Sequence, residues 1–106
     1  MHKTLIVARL APGDTGQVAE AFAESDRGEL PHLAGVSERT LFTFRDLYFH
    51  LIESEQEMPP GMKGLSAHPL FADISARLRP FVQPYHPDWQ GPGDAIATPF
   101  YHWPGR

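Results

Sequence analysis

The residues of this chain best placed for chemistry are an arginine and a histidine on neighbouring arms of one apolar stretch. VSERTLFTFRDLYFHLIES alternates in two arms around Arg45-Asp46, the pattern of a β-hairpin, although the turn lacks the favoured Asn-Gly. Alternate residues of a strand share a face. Ser37, Arg39, Leu41 and Thr43 therefore lie together on the first arm, and Tyr48, His50 and Ile52 on the second. Antiparallel pairing about a turn near Arg45-Asp46 or Asp46-Leu47 puts both sets on one side, expected to be the side the helices do not need. A guanidinium and an imidazole on an otherwise apolar surface suit an oxygen-rich aromatic ligand. Arg39 would hold a developing enolate oxygen and His50 would move the proton, with Leu41, Thr43, Tyr48 and Ile52 lining the substrate. Arg39 also fits an ion pair on a solvated strand, and His50 a core histidine bonded to a backbone carbonyl.

Two more residues are candidates. Asp26 follows Val18 and Phe22 at i, i+4, i+8 on a predicted helix, which aims a carboxylate inward and makes it a candidate base with a raised pKa. It also fits a fraying helix end just before Gly28. Arg9 alternates with Leu5 and Val7 and is a candidate to join the same pocket, its face left open. His68, directly before Pro69, reads as a helix-start residue, and Tyr101, His102 and Trp103 as strand packing.

The elements that must position these groups follow from the same patterns. Lys3–Ala11 reads as a strand ended by Pro12-Gly13, and Asp14 or Thr15 caps a helix that stops near Gly28. ELPHLAG reads as a loop before the hairpin. After the break at Pro59-Pro60-Gly61, Pro69 fits the first turn of a second helix capped by Ser66 or His68, with Leu70, Phe71, Ile74, Leu78, Phe81 and Val82 as its buried stripe. Pro80 to Gly93 is turn-rich, and DAIATPFYHW reads as a last strand confined to an edge by Pro99. The order β-α-β-β-α-β is that of a ferredoxin-like α+β fold: a four-stranded antiparallel sheet with two helices on one face. Phe42, Phe44, Phe49 and Leu51 make the other hairpin face apolar as well, and a partner sheet is its simplest cover.

Composition narrows the function. With 106 residues and 42% hydrophobic content, one domain over 1–106 is expected. A net charge of −4 without a basic cluster argues against nucleic acid. No cysteine is present, which removes disulfides and thiolate metal sites. The six histidines show no HxH, HxxxH or HExxH spacing, and Gly-rich phosphate loops and GxSxG elbows are missing. A cofactor-free, metal-free site is the expectation. TLIVARLA is too short to span a bilayer and lacks the form of a secretory signal, so the chain reads as cytoplasmic, with no membrane partner.

VAEAFAESDRGELPHLAGVSERTLFTFRDLYFHLIE resembles the first half of the tetracenomycin F2 cyclase family of type II polyketide cyclases. HPLF, PYHPDW and ATPFYHW then follow in the family's order, and the likeness runs nearly end to end. The resemblance implies a homodimer of the dimeric α+β barrel superfamily, a cavity in each subunit and no cofactor. It implies aldol-type ring closure and dehydration of a partly cyclised aromatic poly-ketone in antibiotic biosynthesis, and it allows association with a type II polyketide synthase. Carried over residue by residue, it assigns catalysis to Arg39, His50 and Asp26. The family member it resembles most directly has a histidine before that aspartate; this chain has Ser25, which is expected to contact substrate but carries no titratable group. Two rival readings remain on the same scaffold: a cofactor-free monooxygenase of aromatic polyketides, and a non-catalytic subunit that holds a polyketide chain.

Overall fold

The computed structural model describes residues 2–55, 69–88 and 92–105. Strand β1 (His2–Leu10) carries the first aliphatic run. One 3-10 turn at Pro12–Asp14 leads into helix α1 (Thr15–Asp26), whose Val18, Ala21 and Phe22 are buried. Asp14 occupies the N-cap position without a side-chain capping bond. The Gly28 N–H closes the helix end on the Ser25 carbonyl at 3.1 Å. ELPHLAG is not a loop: Leu30–Ala34 forms a short helix, α2. Pro31 fits its first turn, where no N–H is needed, and Gly35 ends it at φ 72, a left-handed conformation that glycine adopts without a Cβ clash.

Strands β2 (Val36–Phe44) and β3 (Leu47–Ser54) form the hairpin, joined by the two-residue turn Arg45-Asp46. Arg45 takes φ 57, an uncommon conformation outside glycine. Its partners in register are Arg39↔Ile52, Leu41↔His50 and Thr43↔Tyr48, with a bulge between Val36 and Glu38 that takes Ser37 out of the pairing. On β1, Ile6 pairs His50 and Ala8 pairs Tyr48. Paired residues share a face, so Ala8, Leu41, Tyr48, His50 and Arg39 all point the same way.

That face is the one the helices cover, which corrects the expectation. The core joins Ala8, Leu10 and Tyr48 of the sheet to Val18, Ala21 and Phe22 of α1, Leu30 of α2 and Ile74 of helix α3 (Pro69–Leu78). Both hairpin faces are apolar, and alternation by itself does not say which of two greasy faces a helix takes. The outer face carries Phe42 and Phe44, exposed by 51% and 61%.

Helix α3 ends at Leu78, so Phe81 and Val82 reach the core from beyond it, while Leu70 points outward. The break at Pro59-Pro60-Gly61 and the caps Ser66 and His68 lie outside the described residues. The fourth strand, β4, is Val82–Gln83, pairing Leu10 and Arg9. The sheet order is β2-β3-β1-β4, all antiparallel, the ferredoxin-like order. The expected last strand in DAIATPFYHW does not form. Pro92–Ala95 is a 3-10 turn, Ile96 makes one bridge to Ile6, and the Ala97 N–H donates to the Leu5 carbonyl at 2.7 Å. Pro99 has no N–H with which to continue a ladder. Beyond it Tyr101, His102 and Trp103 are exposed, contrary to the packing role expected of them.

Candidate functional site

Arg39 projects from the middle of β2, His50 from β3, and Asp26 is the last residue of α1. The hairpin register brings the first two together, and the helix lying across that face brings the third. Arg39 Nε and Nη2 donate to the two Asp26 carboxylate oxygens at 3.1 and 3.0 Å, a bidentate pair. Its Nη1 donates to His50 Nε2 at 2.8 Å. Phe22, one turn before Asp26, lies beneath the assembly. Its ring centre is 4.9 Å from the guanidinium carbon and 5.0 Å from the His50 ring, which meets it edge-on at 66°. Tyr48 meets the other side of His50 at 6.2 Å.

These contacts fix the protonation states. A guanidinium only donates, so His50 Nε2 accepts and the ring proton belongs on Nδ1. Burial, reinforced by the neighbouring Arg39 charge, lowers the His50 pKa to about 3. His50 is therefore neutral at physiological pH and a weak base. Burial pushes the Tyr48 phenol well above its ordinary value, with Arg39 pulling slightly the other way, so Tyr48 stays protonated. Asp26 is not the desolvated carboxylate that the helical stripe suggested: its side chain is 36% exposed and both oxygens are engaged by Arg39, itself only 14% exposed. Among the described residues, three of the five guanidinium N–H groups are occupied. Nη1 and Nη2 each keep one for an incoming oxygen.

The other predicted residues divide. Leu41 is half-buried against the core, and Ile52, almost wholly buried, packs behind Arg39 as its register partner. Thr43 shares their face but donates its hydroxyl to the Leu47 carbonyl at 3.2 Å, closing the hairpin. Arg9 is on the opposite face, since its register partner is Leu47. It pairs with Asp46 at 2.6 Å and stacks on Tyr85, away from the site. Ser25 borders a hollow of about 200 Å³ between the end of α1, the start of α2 and α3, shared with Leu30, Leu70, Asp73 and Arg77. Glu24 and Arg77 form an ion pair at its edge at 2.7 Å.

Sequence reasoning missed Phe22 as part of the site, although its position four residues before Asp26 was the available signal. It also missed the hollow beside Ser25, whose walls come from the α1–α2 junction and from α3, which is distant in sequence. Among the described residues no three His, Cys, Asp or Glu side chains gather as a metal would require. No helix there is long and apolar enough to cross a membrane.

Comparison with known proteins places this architecture. The profile of the family described as polyketide synthesis cyclase matches residues 2–104. The chain belongs to the polyketide synthesis cyclase family. Relatives of this cyclase family include the tetracenomycin F2 cyclase of Streptomyces glaucescens, 41% identical over 102 residues that cover 96% of this chain and 94% of that one. The polyketide synthase CurG of Streptomyces cyaneus is 47% identical, with 97% of each chain covered. An uncharacterised protein of Streptomyces coelicolor is 54% identical, over 97% of this chain and 95% of that one. The solved structure of the tetracenomycin F2 cyclase, described as a type II polyketide cyclase, superposes with a TM-score of 0.93 at 40% identity, covering 100% of both chains. The fold of the cyclase family, four curled antiparallel strands under helices, is thus the fold of this chain.

Proposed function

We propose that this chain is a cofactor-independent polyketide cyclase that closes a ring in an aromatic poly-ketone by aldol addition and then removes water. The observation that carries the reading is the largely buried Arg39 guanidinium, fixed by Asp26 and His50 with two N–H groups unoccupied among the described residues. A preorganised cation beside apolar surface favours the state in which a carbonyl oxygen gains negative charge.

The methylene between two carbonyls is already acidic for a carbon acid, so a weak base suffices. Asp26, the more exposed member of its ion pair with Arg39, takes that proton. The enolate carbon bonds to a second carbonyl carbon, whose oxygen becomes an alkoxide held by Arg39 and is protonated by Asp26. Asp26 then takes a second C–H proton and passes it to the departing hydroxide, which leaves as water while the ring gains a double bond. His50 was the expected proton carrier. With its lone pair bonded to Arg39 and its pKa near 3, it instead positions the guanidinium. Ser25, next to Asp26 in the chain and lining the hollow between α1, α2 and α3, contacts substrate without titrating. Since such chains cyclise unaided, orientation of the bound substrate supplies the selectivity.

The chain works as a cytoplasmic homodimer. The exposed Phe42 and Phe44 on its outer sheet face support the dimer, and kinship with a protein named a polyketide synthase supports association with a type II synthase. The test is incubation of purified protein with poly-ketone intermediates of defined ring number, scored by product identity against a no-protein control. Arg39→Ala should lower the rate by about 100-fold and broaden the product mixture. An unchanged rate and an unchanged product ratio would remove Arg39 from the mechanism.

A further inference from the structure

Exposure falls along the face that carries the site, from the Asp26 and Arg39 side chains at 36% and 14% to His50 at 6% and Tyr48 at 4%. Two donors at the buried end take no part in the proton transfers described above. Among the described residues the His50 ring makes one hydrogen bond, through Nε2 to Arg39, and the Tyr48 hydroxyl makes none. The Nδ1–H of His50 leaves the ring on the side away from Arg39, because the two nitrogens of an imidazole point in widely divergent directions. Tyr48 precedes His50 by two residues on β3, shares its face and meets its ring at 6.2 Å and 69°. Burial holds the phenol protonated, so it has a proton to donate.

A buried polar group without a partner is costly and uncommon. Packing explains the Tyr48 ring, which joins Ala8, Val18 and Phe22 in the core, but it does not explain the oxygen. Phenylalanine, used seven times in this chain, would fill the same space without the penalty. The neighbours in register do not meet the hydroxyl either. Thr43 directs its own hydroxyl to the Leu47 carbonyl, and Ala8 has no polar side chain. Two unpartnered donors side by side call for an acceptor. A poly-ketone supplies acceptors in a row, one oxygen on every second carbon, so a substrate with one oxygen at Arg39 carries another toward the deeper pair.

We propose that Tyr48 O–H and His50 Nδ1–H form a second oxygen subsite, which takes a ketone oxygen of the substrate next along the chain from the one held by Arg39 and makes Tyr48 a catalytic residue of the cyclase. The inference rests on the cyclase reading above and adds how the substrate is oriented. A chain folded so that carbon meets Tyr48 leaves both donors unpaired and is rejected. Tyr48 keeps its proton throughout, polarising the ketone beside the methylene that Asp26 deprotonates.

Tyr48→Phe removes one oxygen and keeps the ring. Parent and variant are compared by thermal unfolding and by turnover of poly-ketone intermediates, scored for rate and product ratio against a no-protein control. The expected result is a melting temperature equal to or above that of the parent, with kcat/KM lowered about tenfold and a broader product mixture. A parent-like rate and product ratio would overturn the subsite and leave the cyclase reading standing. A lowered melting temperature would overturn it as well, because the hydroxyl would then have a partner in the free protein. A parent whose products match the no-protein control would remove the cyclase reading and the subsite together.

Discussion

Protonation of His50 should govern how this protein loses stability in mild acid. In the folded chain the imidazole is buried against Phe22 and Tyr48 with Arg39 bonded to Nε2, and its pKa falls from 6.5 to about 3. The unfolded chain takes up a proton as pH drops below 6.5, while the folded chain refuses it until about pH 3. The contribution of the neutral ring is therefore complete above 6.5 and is lost progressively between those two values. Going from about pH 7.5 to about pH 5, the linkage relation gives a loss of about 2 kcal/mol for this one group. Replacing His50 by Gln keeps an oxygen able to accept from Arg39 and removes the titration. Urea unfolding at fixed protein concentration, at the two pH values, should show the parent losing about 2 kcal/mol more than His50→Gln. Equal losses, or a His50 ring nitrogen resonance that titrates near 6.5, would refute both the burial argument and the assignment of the proton to Nδ1.

Phe22→Leu removes the ring that faces both Arg39 and His50 and should cost about 1–2 kcal/mol by thermal unfolding, with a shifted product ratio. Glu38 and Glu53 are opposed in register on the outer face, and Glu53 raises the Glu38 pKa through a shared hydrogen bond and charge repulsion. A raised acid pKa means that the repulsion weakens as pH falls, so Glu38→Gln should raise the melting temperature at neutral pH and lose that advantage in acid. Arg45→Gly relieves the positive φ in the turn and should stabilise by up to about 1 kcal/mol, less whatever the Arg45–Phe44 stacking contributes, measured by urea unfolding.

The hairpin was the most legible part of the chain, because a period of two and a two-residue turn leave few registers. They place Arg39, Leu41, Thr43, Tyr48, His50 and Ile52 on one face without any tertiary knowledge. Which face the helices take was not legible, since phenylalanines on one side and leucine, tyrosine and isoleucine on the other are equally apolar. The fourth strand was hidden for a different reason. Val82–Gln83 is too short to show alternation between Pro80 and Pro84, whereas the longer ATPFYHW has strand-like composition but lacks the amide of Pro99. Asp26 shows the limit of helical periodicity. Its place on the Val18–Phe22 stripe aimed it at the sheet, but only the packed structure supplies the guanidinium that meets it there.

The bulge between Val36 and Glu38 divides the chain into parts with different tolerance for changes in length. Between Arg39 and His50 the residue count is rigid, because adding or deleting one residue would swing one of the two groups through the sheet. Upstream of the bulge, an unpaired residue already absorbs mismatch, so related sequences can lengthen or shorten the path from α1 without disturbing the arginine and histidine. Gaps in alignments of this family should therefore gather before position 36 and avoid the span from 39 to 50.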